Sequence, residues 1–324
     1  MKVLGLGNAL VDIMTKIDGD DFLQSQGLPK GSMQLVDYEK ANSVMQASEG
    51  FEKSMAAGGS AANTINGLAR LGVETAFIGT VGKDEMGDFF EKDMIKHNTI
   101  PQLSKSDTRT GLAVALVTPD AERTFATYLG AAVELSADSL KPEMFKGYDI
   151  FHIEGYLVQN YDLIETAINY AKEAGCRVSI DLASFNVVEA NLDFLKKMVK
   201  NVDIVFANEE EAKAFTGKEP EGALEDIAAD VDIAVVKTGK TGSMVKNNGI
   251  VYRAGVIKAD SIDTTGAGDL YASGFLYGMS KGLSFDKCAE VGAVVAGNVI
   301  EVIGAKMDDD RWERIYKMIK DIEK

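Results

Sequence analysis

Cysteine and histidine occur only twice each in this 324-residue chain, proline five times and tryptophan once. Cys176 and Cys288 stand in separate apolar settings, so two buried free thiols in a reducing compartment are expected, not a disulfide or a metal pair. His97 and His152 are too few and too far apart to suggest a histidine metal centre. No run of 18 or more apolar residues occurs, so no membrane partner is expected. Positive charge is also scarce: 34 Lys and Arg against 50 Asp and Glu leave a formal charge of −16, which argues against nucleic acid as a partner. Repeats, low-complexity linkers and proline-rich breaks are all missing, so one unit spanning 1–324 is expected. The opening Met1-Lys2-Val3-Leu4-Gly5 reads as a strand without a signal-peptide cleavage pattern, and the cytoplasm is the corresponding expectation.

Apolar residues make up 46% of the chain, enough for a large core. Their spacing predicts strands at 2–7, 75–79, 149–153, 177–181, 203–206 and 233–237, with helices at 61–71, 86–97, 161–174, 191–199 and 209–215. Strand alternating with helix implies an α/β fold: a mainly parallel sheet, helices on both faces and right-handed crossovers. Alternating patches at 32–36, 112–117 and 123–128, the last two joined by a Pro119-Asp120 turn, interrupt that rhythm. They are assigned to a small β lid over about 15–38 and 110–129. A hairpin is expected around Asn247-Asn248-Gly249, and helices at 284–302 and 308–323 close the chain.

The most informative stretch is Asp263-Thr264-Thr265-Gly266-Ala267-Gly268-Asp269, a turn of small residues opening onto an apolar helical run. Backbone N–H groups at Gly266, Ala267 and Gly268 can approach a ligand closely, and a helix start favours an anion such as phosphate. Asp269 stands where a carboxylate could take the proton of a hydroxyl attacking that phosphate. The plainer reading is a helix cap with glycines that permit packing. Asn8 and Asp12 follow the first strand, at the sheet edge where open α/β folds bind ligands. Gly58 and Gly59 precede a helix whose first turn carries Ser60 and Asn63. Tyr156, after the strand at 149–153, is either a stacking surface for a planar substrate group or a core aromatic.

Two familiar fingerprints fail. Gly5-x-Gly7 lacks the third glycine of a dinucleotide site, which is Leu10, and Gly239-Lys240-Thr241 lacks the leading glycine of a P-loop, which is Ala234.

Asp263–Asp269 resembles the second signature of the ribokinase-like (PfkB) carbohydrate and nucleoside kinases, Asp-Thr-x-Gly-Ala-Gly-Asp. Gly58-Gly59-Ser60-Ala61-Ala62-Asn63, leading into Leu68-Ala69-Arg70-Leu71-Gly72, resembles the first. The resemblance covers essentially the whole chain and implies the ribokinase-like three-layer fold. It implies ATP-dependent phosphoryl transfer, with Asp269 as base and Gly266, Ala267 and Gly268 as anion hole. Asn8, Asp12, Gly58, Gly59, Ser60, Asn63 and Tyr156 would then hold the acceptor. Lys237, Thr238, Gly239, Gly242, Thr265, Gly268 and Asn298 would line ATP, with Asn298 beside the adenine. Asn208 and Glu211 match the family's Asn-x-x-Glu motif and would organise Mg²⁺, although Asn208-Glu209-Glu210-Glu211 is equally a well-capped helix start. A monovalent cation such as K⁺ is a further candidate cofactor. Arg123 is either near the transferred phosphate or a guard on an edge strand. Gly7-Asn8-Ala9-Leu10-Val11-Asp12 and Lys30-Gly31-Ser32-Met33 resemble the adenosine-kinase branch, so a nucleoside phosphorylated on its 5′-hydroxyl is the expected acceptor, with a sugar or sugar phosphate as the alternative and a non-catalytic binding relative behind both. A monomer or homodimer is expected.

Overall fold

In β1 (Lys2–Leu6), Val3 is buried in one hydrophobic cluster and Leu4 and Leu6 in another, because successive side chains leave a strand on opposite faces. The molecule repeats this plan: a sheet buried on both sides, as a parallel sheet covered by helices must be. The structure is a computed structural model describing residues 1–120 and 122–324; within the expected lid segment 110–129, Ala121 lies outside the described residues.

In chain order the remaining strands are β2 (Leu10–Lys16), β3 (Met33–Leu35), β4 (Lys53–Gly58), β5 (Glu74–Gly82), β6 (Thr99–Ser106), β7 (Gly111–Val117) and β8 (Arg123–Tyr128). They are followed by β9 (Ile150–Glu154), β10 (Arg177–Asp181), β11 (Ile204–Asn208), β12 (Ile233–Lys237), β13 (Ser243–Asn247) and β14 (Ile250–Ala254). The large sheet has nine strands in the order β14-β13-β12-β11-β10-β9-β1-β5-β6, parallel from β12 to β6 and antiparallel where β13 pairs with β12 and with β14. The hairpin turns at Asn248 and Gly249, both with positive φ, as an Asn-Gly turn requires.

Helices Ser60–Arg70, Ala267–Ser280 and Phe285–Val299 cover one face, contributing Ile65, Leu68, Phe275 and Val291 to its core. Helices Tyr161–Glu173, Leu192–Met198, Glu209–Thr216 and Pro220–Ile227 cover the other with Leu163, Leu195, Phe215 and Leu224. Each fully buried Leu or Phe contributes about 1.5–3 kcal/mol, so the two layers make the sheet edge between them a rigid platform.

A second sheet has five strands in the order β3-β8-β7-β2-β4. It extends beyond the segments 15–38 and 110–129 assigned from the sequence: β2 begins at Leu10, and β4 forms one edge. β2 continues directly from β1, so Asn8 and the start of β2 lie at the junction of the two sheets. From β1 the chain order proceeds in one direction to β5 and β6 and in the other to β9. The switch in strand order falls at the β1–β9 boundary, where open sheets of this kind place their ligand crevice. Cys176 and Cys288 are buried and free, as expected.

Candidate active site

The stretch 263–269 folds as a turn into the helix Ala267–Ser280. Gly266 is the cap residue with φ 71°, a left-handed conformation that favours glycine, and a Cβ there would sit 2.6 Å from the Ala305 methyl. Asp263 builds the turn from beneath: its Oδ1 accepts the Thr265 N–H at 2.6 Å and its Oδ2 the Gly304 N–H at 2.7 Å. The Ala267 N–H donates to the Thr264 carbonyl at 3.2 Å, while the N–H groups of Gly266 and Gly268 are not engaged among the described residues. The expected three-donor cradle therefore has two donors free for a ligand and a third shared with the turn.

Asp269, in the first turn of this helix, is tied to the helix Ser60–Arg70. Ser60 Oγ donates to its Oδ1 at 2.7 Å, Asn63 Nδ2 to its Oδ2 at 3.1 Å, and Thr64 Oγ1 to its backbone carbonyl at 3.1 Å. Burial pushes the Asp269 carboxyl up to about 6, against the hydrogen bonds of Ser60 and Asn63, with the Asp181 charge adding to the rise. A carboxylate tuned close to neutrality is suited to accept a hydroxyl proton.

On the side of the cleft next to β1 and β2, Gly58 and Gly59 are required by crowding. A Cβ on Gly58 would fall 2.2 Å from the Asp12 carboxylate, and one on Gly59, whose φ is 102°, would fall 2.2 Å from the Asn8 carbonyl oxygen. Asn8 Nδ2 donates to Glu154 Oε1 at 2.5 Å, and Glu154 Oε2 accepts the Ala61 N–H at 3.1 Å. Glu154 thus joins the ends of β1 and β9 to the start of the helix Ser60–Arg70. Burial raises its carboxyl, and that of Asp12, to about 7.

On the other side, Lys237 at the end of β12 pairs with Asp181 Oδ2 at 2.7 Å, and its Nζ lies 3.0 Å from where a Cβ on Gly268 would stand. The ammonium therefore stands beside Gly268, in the first turn of the helix Ala267–Ser280. Thr238 closes the loop after β12, its N–H and hydroxyl both donating to the Gly242 carbonyl, at 2.8 and 3.1 Å. Gly242 has φ 106°, and a Cβ there would meet the Ala254 carbonyl at 2.0 Å. Asn208 caps the helix Glu209–Thr216 in a reciprocal box. Its side-chain oxygen accepts the Glu211 N–H at 2.8 Å, while its amide and backbone N–H donate to the two Glu211 oxygens, each at 2.7 Å. Burial and the Asp181 charge push the Glu211 carboxyl up to about 7.

One cleft of about 2150 Å³ runs along all of these groups. Ordinary single-ligand cavities measure roughly 300–1,000 Å³, so this one has room for two substrates end to end. It is lined by Asn8, Asp12, Gly59, Ser60, Asn63, Tyr156, Asn208, Glu211, Lys237, Thr238, Gly239, Gly242 and the run from Thr265 to Asp269.

Three expected site residues stand elsewhere. Gly58 lies behind Asp12 and does not line the cleft. Arg123 points from β8 at the turn, pairing with Asp263 Oδ1 at 2.6 Å, and also does not line the cleft. Asn298 requires a correction: it is fully buried within its helix, its Nδ2 donating to the Val294 carbonyl at 2.8 Å. The wall on that side is formed by Ala293, Ala296, Gly297 and Ile300, a helical face spaced three and four residues apart, from which position 298 is turned away. Sequence reasoning also missed Glu154 and Asp181, whose partners Asn8, Ala61 and Lys237 are remote in the chain; their only local signal is an acidic residue at the end of an apolar strand.

The pfkB family of carbohydrate kinases matches residues 31–311. The structure resembles that of the adenosine kinase from Sinorhizobium meliloti, with a TM-score of 0.86, 33% identity and 98% of each chain covered. A probable sugar kinase from Rhizobium etli CFN 42 matches with the same TM-score of 0.86, 33% identity and 98% of each chain. The ATP-dependent 6-phosphofructokinase of Thermoanaerobacterium thermosaccharolyticum is 26% identical over 94% of this chain and 90% of its own. No helix of the described residues is long and apolar enough to cross a membrane. The paired signatures, the ribokinase-like sheet and the free N–H groups beside Asp269 thus agree with these matches: the chain belongs to the pfkB family of carbohydrate kinases and is a phosphotransferase.

Proposed function

We propose that the protein transfers the γ-phosphoryl group of ATP to the 5′-hydroxyl of a nucleoside, adenosine first. The observation that carries this reading is the uneven lining of the cleft. Lys237 and Lys240 are the only basic side chains lining it among the described residues, and both belong to the loop at the end of β12. The half beside Asp12 offers no cation for the phosphate of a sugar phosphate. It presents apolar and aromatic surface instead, from Met33 (57% exposed), Leu35 (65%) and Tyr156 (37%), with Leu10 and Leu129. A flat base adds binding energy against such walls, whereas a free sugar asks for polar groups on every side.

In this reading Asn8, Asp12 and Asn63 orient the ribose hydroxyls, and Asp269 takes the proton of the attacking hydroxyl. The free N–H groups of Gly266 and Gly268, with the Lys237 ammonium, stabilise charge on the transferred group. ATP lies along Thr238, Gly239, Gly242 and Thr265, with its base against Ala296 and Gly297. The small sheet covers the acceptor and excludes water as a competing nucleophile. Glu211 and Asn208 fit a hydrated Mg²⁺: each Glu211 oxygen accepts one bond from Asn208 and retains a lone pair for a metal-bound water. When bound, Mg²⁺ neutralises charge on the phosphate oxygens.

The test compares kcat/KM for adenosine, inosine, guanosine, ribose, fructose and fructose phosphates by ADP release. Adenosine should lead; a free sugar preferred by about tenfold, or 1.4 kcal/mol of transition-state discrimination, would refute the nucleoside reading and leave the kinase standing.

A further inference from the structure

Asp181 ends β10 in the wall of the cleft, and the mechanism above gives it no part. Asp181 and its partner Lys237 have only 7% and 14% of their side-chain surface exposed. Taking two charges out of water is costly, and apolar side chains of similar size would fill the same space without that cost. The pair therefore calls for an explanation in what it places.

The path of the lysine side chain supplies one. Ile180 and Val236 are buried in the core of one layer, so Asp181 and Lys237, the next residues along their strands, project on the opposite face, where the helix Ala267–Ser280 lies. The strand order here is β12-β11-β10, and Asn208 at the end of β11 is the register partner of Lys237. Lys237 thus reaches across the end of an intervening strand to bond Asp181 Oδ2 at 2.7 Å, with its Nζ beside Gly268. Among the described residues Asp181 is the one hydrogen-bond partner of that ammonium. An ammonium has three N–H donors, so two remain for a ligand.

The carboxylate is itself held in place. Its Oδ1 accepts the Ala183 N–H at 3.0 Å, and Ala183 has φ 66°. The other non-glycine residues with positive φ among those described, Asn98 and Asn248, are asparagines, which tolerate that conformation. An alanine keeps it only where its surroundings hold it. One oxygen of Asp181 is thus fixed by this strained turn, and the other is aimed at Lys237.

We propose that Asp181 is a positioning residue for phosphoryl transfer: its carboxylate holds the Lys237 ammonium at the turn beside Gly268 before substrates arrive. The inference rests on the reading of Lys237 as a group that stabilises charge on the transferred phosphoryl. A lysine stem is flexible, and a charge already in place costs no reorganisation at the moment of reaction. Asp181 acts through Lys237 without touching the substrate. Its own negative charge opposes phosphate binding, so its benefit falls on turnover and not on ATP affinity.

The experiment is a double-mutant cycle with kcat and KM for ATP measured by ADP release on adenosine, for wild type, Asp181→Asn, Lys237→Met and the double variant. Asparagine keeps an oxygen for the Ala183 N–H and loses the charge. In Asp181→Asn kcat should fall about tenfold to a hundredfold, the scale of a misplaced group in an active site, with KM for ATP no higher than in wild type. In the Lys237→Met background the same change should lower kcat no further. An unchanged kcat in Asp181→Asn overturns the inference, as does an equal loss in both backgrounds. A second measurement, on the ligand-free wild-type protein, needs neither turnover nor an Asp181 variant that folds. The Lys237 ammonium is followed by ¹⁵N NMR, its signal assigned by its loss in Lys237→Arg. It should be more ordered than the ammonium of exposed Lys240; a Lys237 ammonium as mobile as that of Lys240 overturns the inference. A wild-type enzyme inactive on adenosine would refute the acceptor reading, while the NMR comparison would still decide the role of Asp181.

Discussion

Ser60 Oγ donates to Asp269 Oδ1 at 2.7 Å, joining residues 209 positions apart in the chain. The contact brings the two small-residue signatures into one site and sets the orientation of the proposed base. It also lowers the pKa of Asp269 against the effect of burial. Ser60→Ala removes that effect, so the acid limb of the kcat profile, expected near 6 in wild type from the raised Asp269 carboxyl, should move towards alkaline pH. Activity should be roughly threefold to tenfold lower at pH 6 and close to wild type above pH 8. An unmoved limb would show that Ser60 does not tune the base.

Gly268 lies beneath the Lys237 ammonium, where a new Cβ would come within 3.0 Å of Nζ. That atom ends a flexible side chain, so Gly268→Ala should displace it without unfolding the protein, whereas Gly268→Val should also block the free N–H groups. Removing one donor of an anion hole typically costs about 10²–10³ in kcat. The Ala variant should fall below that range and the Val variant within it, with thermal stability nearly unchanged in Ala. Wild-type turnover in Gly268→Val would remove the turn from the chemistry.

Asp263 is buried and serves Arg123, Thr265 and Gly304 at once. Asp263→Ala would leave the Arg123 guanidinium and two backbone donors without their acceptor. Breaking a buried pair in this way costs about 3–5 kcal/mol, measured as a shift in the urea unfolding midpoint. A loss below about 1 kcal/mol, the scale of an exposed pair, would mean that the pair does not hold the turn to β8.

The strands of the parallel sheet were legible because each is a short apolar run of β-branched residues bounded by turns, as in Ile233–Lys237. The small-residue turn Asp263–Asp269 was legible for the opposite reason, seven consecutive residues without a bulky side chain. β4 and β6 were not read as strands. β4 is a largely exposed edge strand of mixed character, and β6 is an edge strand that carries Pro101, which an edge tolerates. The helix Tyr38–Ala47 buries only Ala41 and Val44, too weak a stripe to show its period. Glu154 could not be assigned a role from the sequence, since that role depends on Asn8 and Ala61 brought near by folding. Asn298 was misplaced because helix phase, not sequence neighbourhood, decides which side chain reaches the cleft.

Glu211 has both oxygens bound to Asn208 and is proposed to reach Mg²⁺ only through water. Glu211→Gln should therefore raise the Mg²⁺ concentration for half-maximal activity about threefold to tenfold, in line with the loss of an outer-shell partner, which usually costs 10–100-fold at most. An unchanged Mg²⁺ titration would return Asn208 and Glu211 to the role of a helix cap.

The central claim is that Asp269 is the base for phosphoryl transfer at this turn. It is tested most directly by Asp269→Asn, with ATP affinity and turnover measured on the same preparation. The account expects ATP binding and folding to be retained while kcat falls by about 10²–10⁴, the range for loss of a general base. Turnover close to wild type in that variant would contradict it.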